Sequence, residues 1–174
     1  TEHFGPMFDG KMELVYSRED KPLFTGGAIK QALAHCREES VAIVNGDTRF
    51  DVDLNAMEQA HRRTGALLTV ATKEMHDFDR YGTVETDETC RILAFREKQP
   101  CSRGYINGGI YFLKRDALEA VPQEKFSFET EYMEHFVDEG NFYAFPSDGY
   151  FIDIGIPEDY ARAQQEMLEG GAVT

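Results

Sequence analysis

The sequence has little cysteine and no long apolar run, and each shortage argues against a class of protein. Its three cysteines are Cys36, Cys90 and Cys101, an odd number without Cys-x-x-Cys spacing. This pattern argues against a disulfide framework or a zinc site and favours reduced thiols in a cytoplasmic protein. No apolar run approaches the ~20 residues of a membrane span. The first residues, Thr1–Pro6, also lack the basic and apolar regions of a signal peptide.

Basic residues are scarce as well. The 174-residue chain has 32 acidic and 18 basic residues, for a formal net charge of −14. Such a surface repels a phosphate backbone, so we expect no nucleic-acid partner. A small phosphorylated ligand would need a local cation, which favours Mg²⁺ together with a few placed lysines or arginines. The length and the hydrophobic content of 41% suit one globular domain over residues 1–174.

The alternation of strand-like and helix-like segments predicts an α/β layered sheet that is mixed in its second half. The predicted strands are Met12–Tyr16, Val41–Val44, Ala66–Thr72, Tyr81–Asp87, Arg91–Glu97, Tyr105–Leu113, Asn141–Phe145 and Tyr150–Ile154. The predicted helices are Ala28–Cys36, Leu54–Arg63, Asp116–Ala120, Phe128–Glu139 and Glu158–Leu168. Thr25 is expected to cap the first helix, and Pro157 to open the last one.

The stretch Val41–Asp53 is the centre of the predicted fold. Val41–Val44 reads as a parallel strand buried on both faces, and Asn45-Gly46-Asp47 breaks it. Asp47 then lies just past the carboxyl end of a strand, where open α/β sheets bind ligands. A turn aspartate that bonds nearby amides would leave the same pattern.

Three further segments carry chemistry. Phe24–Ala28 could direct backbone amides at a base or a phosphate, or could be an ordinary glycine-containing cap. Phe95–Lys98 ends a strand with an anion beside a cation, which could also be a solvated strand end. In Tyr150–Gly155 one carboxylate, Asp153, stands among apolar and glycine neighbours. Burying it is costly unless it is paired or bound to a metal, although a structural aspartate fits too.

Six motifs in order resemble the sugar-1-phosphate nucleotidyltransferases, also called nucleotidyl sugar pyrophosphorylases. They are Leu23–Ile29, Val44–Asp47, Tyr81-Gly82, Phe95–Lys98, Ile106–Tyr111 and Phe151–Tyr160. Among the subfamilies, the chain is most similar to the bacterial guanylyltransferases for heptose or mannose 1-phosphate. The segment Phe126–Glu131 resembles their Ser-x-Glu segment.

The resemblance implies a Rossmann-like mixed sheet flanked by helices, the nucleotide-diphospho-sugar transferase fold. It also implies that a sugar phosphate oxygen attacks the α-phosphorus of a nucleoside triphosphate, GTP by the subfamily, and releases pyrophosphate. The implied catalytic residues are Asp47, Lys98 and Asp153, with Mg²⁺ on the two aspartates. The implied nucleotide-binding residues are Thr25, Gly26, Gly27, Asn45 and Gly46. The implied sugar-phosphate-binding residues are Tyr81, Gly82, Glu97, Lys98, Asn107 and Gly108.

The sequence departs from the family pattern in two respects. The Gly-x-Gly-Thr-Arg loop and the Pro-Lys pair that cradle the triphosphate do not occur in it. We therefore expect an N-terminally incomplete domain that is inactive alone and whose open sheet edge favours a homo-oligomer. In addition, Phe151 stands where many relatives carry tryptophan, a change of packing that we expect to be tolerated.

Two other functions fit parts of the sequence. A metal-dependent glycosyltransferase of the related fold could use Asp51-Val-Asp53 as its metal motif and would release a nucleoside phosphate instead of pyrophosphate. That reading ranks lower because these residues precede a predicted helix, where aspartate commonly caps. A non-catalytic domain that keeps the sugar-nucleotide pocket is the third possibility.

Overall fold

The computed structural model describes residues 5–169, with side chains to 166. It divides into two compact units, of which unit 1 is Thr1–Glu39 with Arg115–Phe136 and unit 2 is Ser40–Lys114 with Val137–Thr174. The strands are β1 (Met7–Phe8), β2 (Met12–Glu13), β3 (Ser40–Val44), β4 (Thr48–Phe50), β5 (Leu68–Phe78), β6 (Val84–Thr86), β7 (Ile92–Phe95), β8 (Cys101–Lys114), β9 (Phe142–Pro146) and β10 (Phe151–Asp153). The helices are α1 (Phe24–Leu33), α2 (Leu54–Thr64), α3 (Glu134–Phe136) and α4 (Pro157–Glu169), and a π-helical turn spans Phe128–Met133.

Unit 2 is built on a four-stranded mixed sheet in the order β3-β8-β5-β9. The long strand β8 is antiparallel to both β3 and β5, whereas β5 runs parallel to β9. Leu68 of β5 pairs with Leu113 on one side and with Phe142 on the other, and all three side chains are fully buried. The predicted fold class, a mixed sheet with flanking helices, is confirmed.

A compact apolar cluster in unit 2 ties the sheet to its neighbouring elements. Met57 of α2 is fully buried against Phe50 of β4, Ala71 of β5, and Ile110 and Phe112 of β8. Because these residues come from four separate elements, their burial is what fixes α2 and β4 onto the sheet.

Strand β3 differs from its prediction. It hydrogen-bonds to β8 in antiparallel fashion and lies at one end of the sheet, rather than as a buried parallel strand. Ala42 is exposed, and Val44 is 56% exposed. An apolar β-branched run signals a strand but does not reveal how many of its sides are covered, because that depends on distant chain segments.

Unit 1 packs α1 against the π-helical turn. Leu23, Leu33, Phe126 and Phe128 are buried there. Two local predictions are wrong: α1 begins at Phe24 with no side-chain cap, so Thr25 lies inside the helix instead of capping it. The segment predicted as a helix at 116–120 forms turns. Within residues 5–169, no helix combines the length and the apolar character needed to cross a membrane.

Candidate functional site

Asp47 and Asp153, the two predicted metal ligands, are brought together by an antiparallel ribbon in unit 2. β10 pairs with β4 so that Asp153 faces Thr48, and the Ile154 amide donates to the Asp47 carbonyl at 2.9 Å. Side chains alternate between faces only inside a regular ladder. Asp47 stands just before β4 begins, so the ribbon does not force its carboxylate to the face opposite Asp153.

Both carboxylates make few contacts within the protein. Asp47 is exposed, and its Oδ1 accepts from the Thr48 hydroxyl at a long 3.4 Å. Asp153 is half-buried, and its Oδ1 accepts from the Gly155 amide at 2.8 Å. Backbone hydrogen bonds therefore hold the two residues in place, while each carboxylate accepts only one hydrogen bond from the part of the chain that the structure describes.

Two further predicted residues meet where the pairing of β8 with β5 is interrupted by a bulge. The Asn45 amide donates to the Gly109 carbonyl at 2.9 Å, and the Gly109 amide donates to Asn107 Oδ1 at 3.0 Å. Asn107 Nδ2 in turn donates to the Tyr111 hydroxyl at 2.9 Å. Gly109 has a φ of +73°, a conformation that disfavours any side chain, so a glycine is needed at this crossing. The bulge fixes Asn107 close to Asn45, two residues before Asp47.

Gly108 is required by close packing. A Cβ at this position would overlap the Phe50 ring and would lie 2.9 Å from the Ala71 carbonyl oxygen. Phe50 belongs to β4, so the absence of a side chain at Gly108 lets the ribbon that carries Asp47 approach β8.

Tyr81 and Gly82 join the same region from the segment before β6. Thr83 bridges to Ile106, the neighbour of Asn107, and the Tyr81 ring meets Phe151 edge to face with centroids 6.0 Å apart. Burial raises the pKa of the Tyr81 phenol, and the negative charge of Asp153 raises it further. Tyr81 is therefore within electrostatic reach of the predicted metal ligand.

Glu97 and Lys98 lie in the exposed segment that follows β7, as the sequence predicts. A Cβ on Gly82 would overlap the carbonyl of Arg96, and the Arg96 amide donates to the Thr83 carbonyl at 2.8 Å. These backbone contacts place Glu97 next to Gly82. Their roles toward a sugar phosphate stay predictions.

The predicted nucleotide-binding residues Thr25, Gly26 and Gly27 belong to unit 1. The amides of both glycines donate to the Phe126 carbonyl, at 2.9 and 3.3 Å, so these donors are already used within the protein. A Cβ on Gly26 would overlap the Phe126 ring. The nucleotide role of this segment stays a prediction.

Thr25 links α1 to the π-helical turn. Its hydroxyl donates to Glu129 Oε2 at 2.9 Å and accepts from the Phe128 amide, also at 2.9 Å. The Glu129 side chain belongs to the segment Phe126–Glu131 that resembles the Ser-x-Glu segment of the heptose and mannose guanylyltransferases.

Sequence reasoning missed two charged residues beside the predicted site, Arg80 and Asp159. Arg80 Nη1 donates to Asp159 Oδ2 at 2.7 Å, and the Arg80 guanidinium lies 5.7 Å from the centre of the Tyr81 ring. The hydrogen bond to Asp159 raises the pKa of Arg80, and the charge of Asp153 adds to that effect. Their signal was present, since Arg80 directly precedes Tyr81-Gly82 and Asp159 lies within the motif Phe151–Tyr160.

The donor chemistry of Asp47 and Asp153 fits a magnesium ion. Mg²⁺ prefers oxygen ligands and commonly takes only one or two carboxylates, completing its shell with water and substrate phosphates. Among the side chains that the structure describes, residues 5–166, there is no group of three or more His, Cys, Asp or Glu suited to a metal. A site that depends on two carboxylates and a phosphorylated substrate would leave that result unchanged.

The alternative metal motif is used structurally. Asp53 is the N-cap of α2, and its carboxylate accepts from the Ala56 amide at 2.9 Å. Asp51 Oδ1 lies 3.3 Å from Arg49 Nε. The capping role that the sequence favoured for Asp53 is confirmed, which weakens the glycosyltransferase reading.

Comparison with known proteins gives matches over nearly the whole chain. The family described as "Nucleotidyl transferase" matches residues 1–170. The D-glycero-alpha-D-manno-heptose 1-phosphate guanylyltransferase of Aneurinibacillus thermoaerophilus is 48% identical over 166 residues, which cover 95% of this chain and 71% of the relative. The enzyme with the same name from Campylobacter jejuni is 44% identical over 160 residues, or 91% of this chain and 69% of the relative.

A solved structure is also similar to most of this chain. The crystal structure of HddC from Yersinia pseudotuberculosis complexed with GMP-PN has a TM-score of 0.77 and 36% sequence identity to this chain. The match covers 85% of this chain but only 64% of the HddC chain.

Proposed function

Because the chain belongs to the nucleotidyl transferase family, we propose that it transfers the guanylyl group of GTP to a sugar 1-phosphate of the heptose or mannose type. Pyrophosphate is the other product. The resemblance drawn from the six motifs is confirmed, and so is the enzyme class, a nucleotidyltransferase. The choice of GTP and of the sugar follows the names of the two relatives that are 48% and 44% identical.

One observation carries the proposal: the β4–β10 ribbon places Asp47 beside Asp153 while leaving both carboxylates nearly unused. A purely structural aspartate is normally engaged by several donors, as Asp87 is here, because its Oδ1 accepts from the amide and the hydroxyl of Thr89 and from the Arg91 amide. Two lightly engaged carboxylates on adjoining segments add to the negative charge of a protein whose net charge is −14. Such a pair is favourable when a cation is shared between the two.

The chain's residues would act by positioning and by balancing charge. Phosphoryl and nucleotidyl transfers need little protein chemistry beyond alignment of the attacking oxygen and neutralisation of the phosphates. Mg²⁺ held by Asp47 and Asp153 would supply positive charge next to the reacting phosphate. Lys98 would bind the phosphate of the sugar, where it would keep the attacking oxygen in reach of the α-phosphorus.

The remaining predicted residues would recognise the two substrates. Glu97 would accept hydrogen bonds from sugar hydroxyls, and Asn107 would form hydrogen bonds with them through its side-chain amide. Gly82 and Gly108 would let the sugar approach the backbone. Tyr81 would line the sugar site with its ring.

In unit 1, Gly26 and Gly27 would lie against the base of the nucleotide, with Thr25 as their neighbour. In unit 2, Asn45 and Gly46 would also bind the nucleotide. The amides of Gly26 and Gly27 already donate to Phe126, so their contribution would be close approach rather than hydrogen bonding.

The proposal also covers the location of the protein in the cell, its self-association and the extent of its domain. Cys36, Cys90 and Cys101 are all free thiols, which supports a location in the reducing cytoplasm. Strand β3 ends the sheet with the exposed apolar side chain of Val44, which supports association with a second copy along that edge. We also propose that residues 1–174 belong to a single nucleotidyltransferase domain.

The test is a substrate panel with the natural full-length protein. It would be incubated with Mg²⁺, each nucleoside triphosphate in turn and a set of sugar 1-phosphates, and pyrophosphate release would be followed. We expect release to be fastest with GTP and a heptose or mannose 1-phosphate, and to stop when EDTA removes the metal.

The same experiment separates the alternatives. A glycosyltransferase would consume GDP-mannose or another nucleotide sugar, release a nucleoside phosphate and give no pyrophosphate. A non-catalytic domain would bind GTP or a sugar 1-phosphate in calorimetry and give no product in any combination. Either result would overturn the proposed activity.

A further inference from the structure

An ion pair beside Asp153 has no place in the proposed chemistry. Arg80 Nη1 lies 2.7 Å from Asp159 Oδ2, and Arg162 Nη2 lies 3.1 Å from Asp159 Oδ1. The Asp159 side chain is only 13% exposed, whereas that of Arg80 is 44% exposed. One largely buried carboxylate therefore holds two arginines at the start of α4.

The location of this pair connects two parts of the proposed site. Arg80 immediately precedes Tyr81-Gly82, which would bind the sugar, and its guanidinium lies over the Tyr81 ring at 5.7 Å. Asp159 belongs to the first turn of α4, which begins four residues after Asp153. The Tyr81 ring beneath this guanidinium contacts the ring of Phe151, which lies in the same short strand as Asp153. In keeping with that geometry, the charge of Asp153 contributes to raising the pKa of Arg80. Arg80 thus has two carboxylates in its field and is bonded to one of them.

We propose that Asp159 is a positioning residue that holds Arg80 away from Asp153 and so keeps the Asp153 carboxylate available to a divalent cation. The inference rests on the proposed function, since it needs Asp153 to be a metal ligand. Asp153 is the other carboxylate whose charge acts on Arg80, so the arginine would turn toward it once the negative charge of Asp159 is removed. A guanidinium fork binds a carboxylate through two parallel hydrogen bonds and would compete with the metal.

This role differs from that of a latch, by which we mean an Arg80–Asp159 ion pair that only joins the segment before Tyr81 to α4. A latch predicts that removing either partner weakens metal binding by the same amount, and that removing both is no better. If Asp159 holds Arg80 away from Asp153, the two single variants should differ in metal affinity. Asp159→Asn frees the Arg80 guanidinium to compete with the metal, whereas Arg80→Gln removes that competitor. The two single variants therefore decide between the two roles.

The experiment titrates the natural full-length protein with Mn²⁺, follows free Mn²⁺ by electron paramagnetic resonance, and displaces it with Mg²⁺. We expect Asp159→Asn to weaken metal binding on the order of tenfold, the size typical of a lost outer partner of a metal ligand. Arg80→Gln should bind as tightly as the unchanged protein or more tightly. The double variant Arg80→Gln with Asp159→Asn should regain most of the lost affinity.

A matched control is Glu58→Gln, which breaks the Arg62–Glu58 pair of the same 2.7 Å length on α2, away from the site. It should leave Mn²⁺ binding unchanged. The Gly155 amide proton, which bonds Asp153 Oδ1, gives a second readout by nuclear magnetic resonance. It should shift in Asp159→Asn and return toward its original position in the double variant.

The outcomes are separable. Should Asp159→Asn fail to fold, Arg80→Gln alone decides, because a tenfold loss of Mn²⁺ affinity in that variant would overturn the proposal. A double variant as weak as Asp159→Asn would also overturn it. If the unchanged protein binds no Mn²⁺ that Asp47→Asn removes, the proposed metal site fails and the role of Asp159 falls with it. Metal binding that is normal in all variants refutes the role of Asp159 alone.

Discussion

The substitution Asp47→Asn separates a metal ligand from a turn-forming aspartate. Asp47 is exposed, and its carboxylate has one long contact, to the Thr48 hydroxyl at 3.4 Å. Its structural link to β10 runs through its backbone carbonyl, which the substitution keeps. We therefore expect Asp47→Asn to change the free energy of unfolding by no more than about 0.5 kcal/mol, as for an ordinary surface position. In a protein of this size that corresponds to about 1–2 °C in melting temperature.

The effect on turnover should be far larger. A bound metal supplies several kcal/mol of transition-state stabilisation, and each 1.36 kcal/mol is a factor of ten in rate. Asparagine keeps the shape of aspartate but loses its charge, so we expect turnover to fall about 100-fold or more. The assays are pyrophosphate release from GTP by the full-length protein and thermal unfolding of the same samples.

Asp51→Asn is the matched control. It makes the same chemical change just after the same ribbon, and it removes only an exposed pair with Arg49. It should leave turnover within about twofold, because the glycosyltransferase motif is not in use. The reasoning is refuted if Asp47→Asn melts many degrees lower while keeping its activity per folded molecule. A large loss of activity in Asp51→Asn would instead revive the alternative metal motif.

Three other predictions follow from the structure. Lys98→Met should raise the KM for the sugar 1-phosphate at least about tenfold through loss of a charged hydrogen bond. It should leave GTP affinity unchanged, and equal losses for both substrates in calorimetry would show that Lys98 is misplaced. Gly108→Ala should cost at least about 2 kcal/mol in urea unfolding, because the new methyl group meets the Phe50 ring and a fixed backbone carbonyl. Stability equal to that of the unchanged protein would mean that β4 can move away freely. Burial raises the pKa of Tyr132 to about 12, so the fold disfavours its ionised form. Tyr132 should therefore lower the free energy of unfolding by about 2 to 3 kcal/mol as the pH rises from about 10 toward 12, and Tyr132→Phe should remove that part of the fall in urea titrations at several pH values.

Elements governed by local chemistry could be predicted closely. The helix predicted at 54–63 corresponds to α2, Leu54–Thr64. Its start was predictable because the Asp53 side chain accepts a hydrogen bond from the Ala56 amide in the first turn. Pro157 opens α4 as expected, since its missing amide proton is not needed in the first turn. The strand predicted at 105–113 lies within β8, where apolar β-branched and aromatic residues follow one another.

Elements that depend on distant partners could not be predicted. Strand β4, Thr48–Phe50, follows the turn sequence Asn-Gly-Asp and is three residues long, so it carries no periodic signal. It is a strand only because Phe151–Asp153 pairs with it from far along the chain. The same applies to Thr25, whose side chain was expected to cap α1 locally but instead bonds Glu129.

The sequence by itself determined the family, the identity of the candidate ligands and the starts of α2 and α4. It did so because motif order, glycine and proline placement and helix caps are properties of neighbouring residues. Only the tertiary structure decided that Asp47 and Asp153 adjoin, that the amides of Gly26 and Gly27 are used by Phe126, and that Arg80 is bonded to Asp159. These contacts join segments far apart in the chain, and cross-strand register and side-chain pairing are set by the packing of the whole sheet.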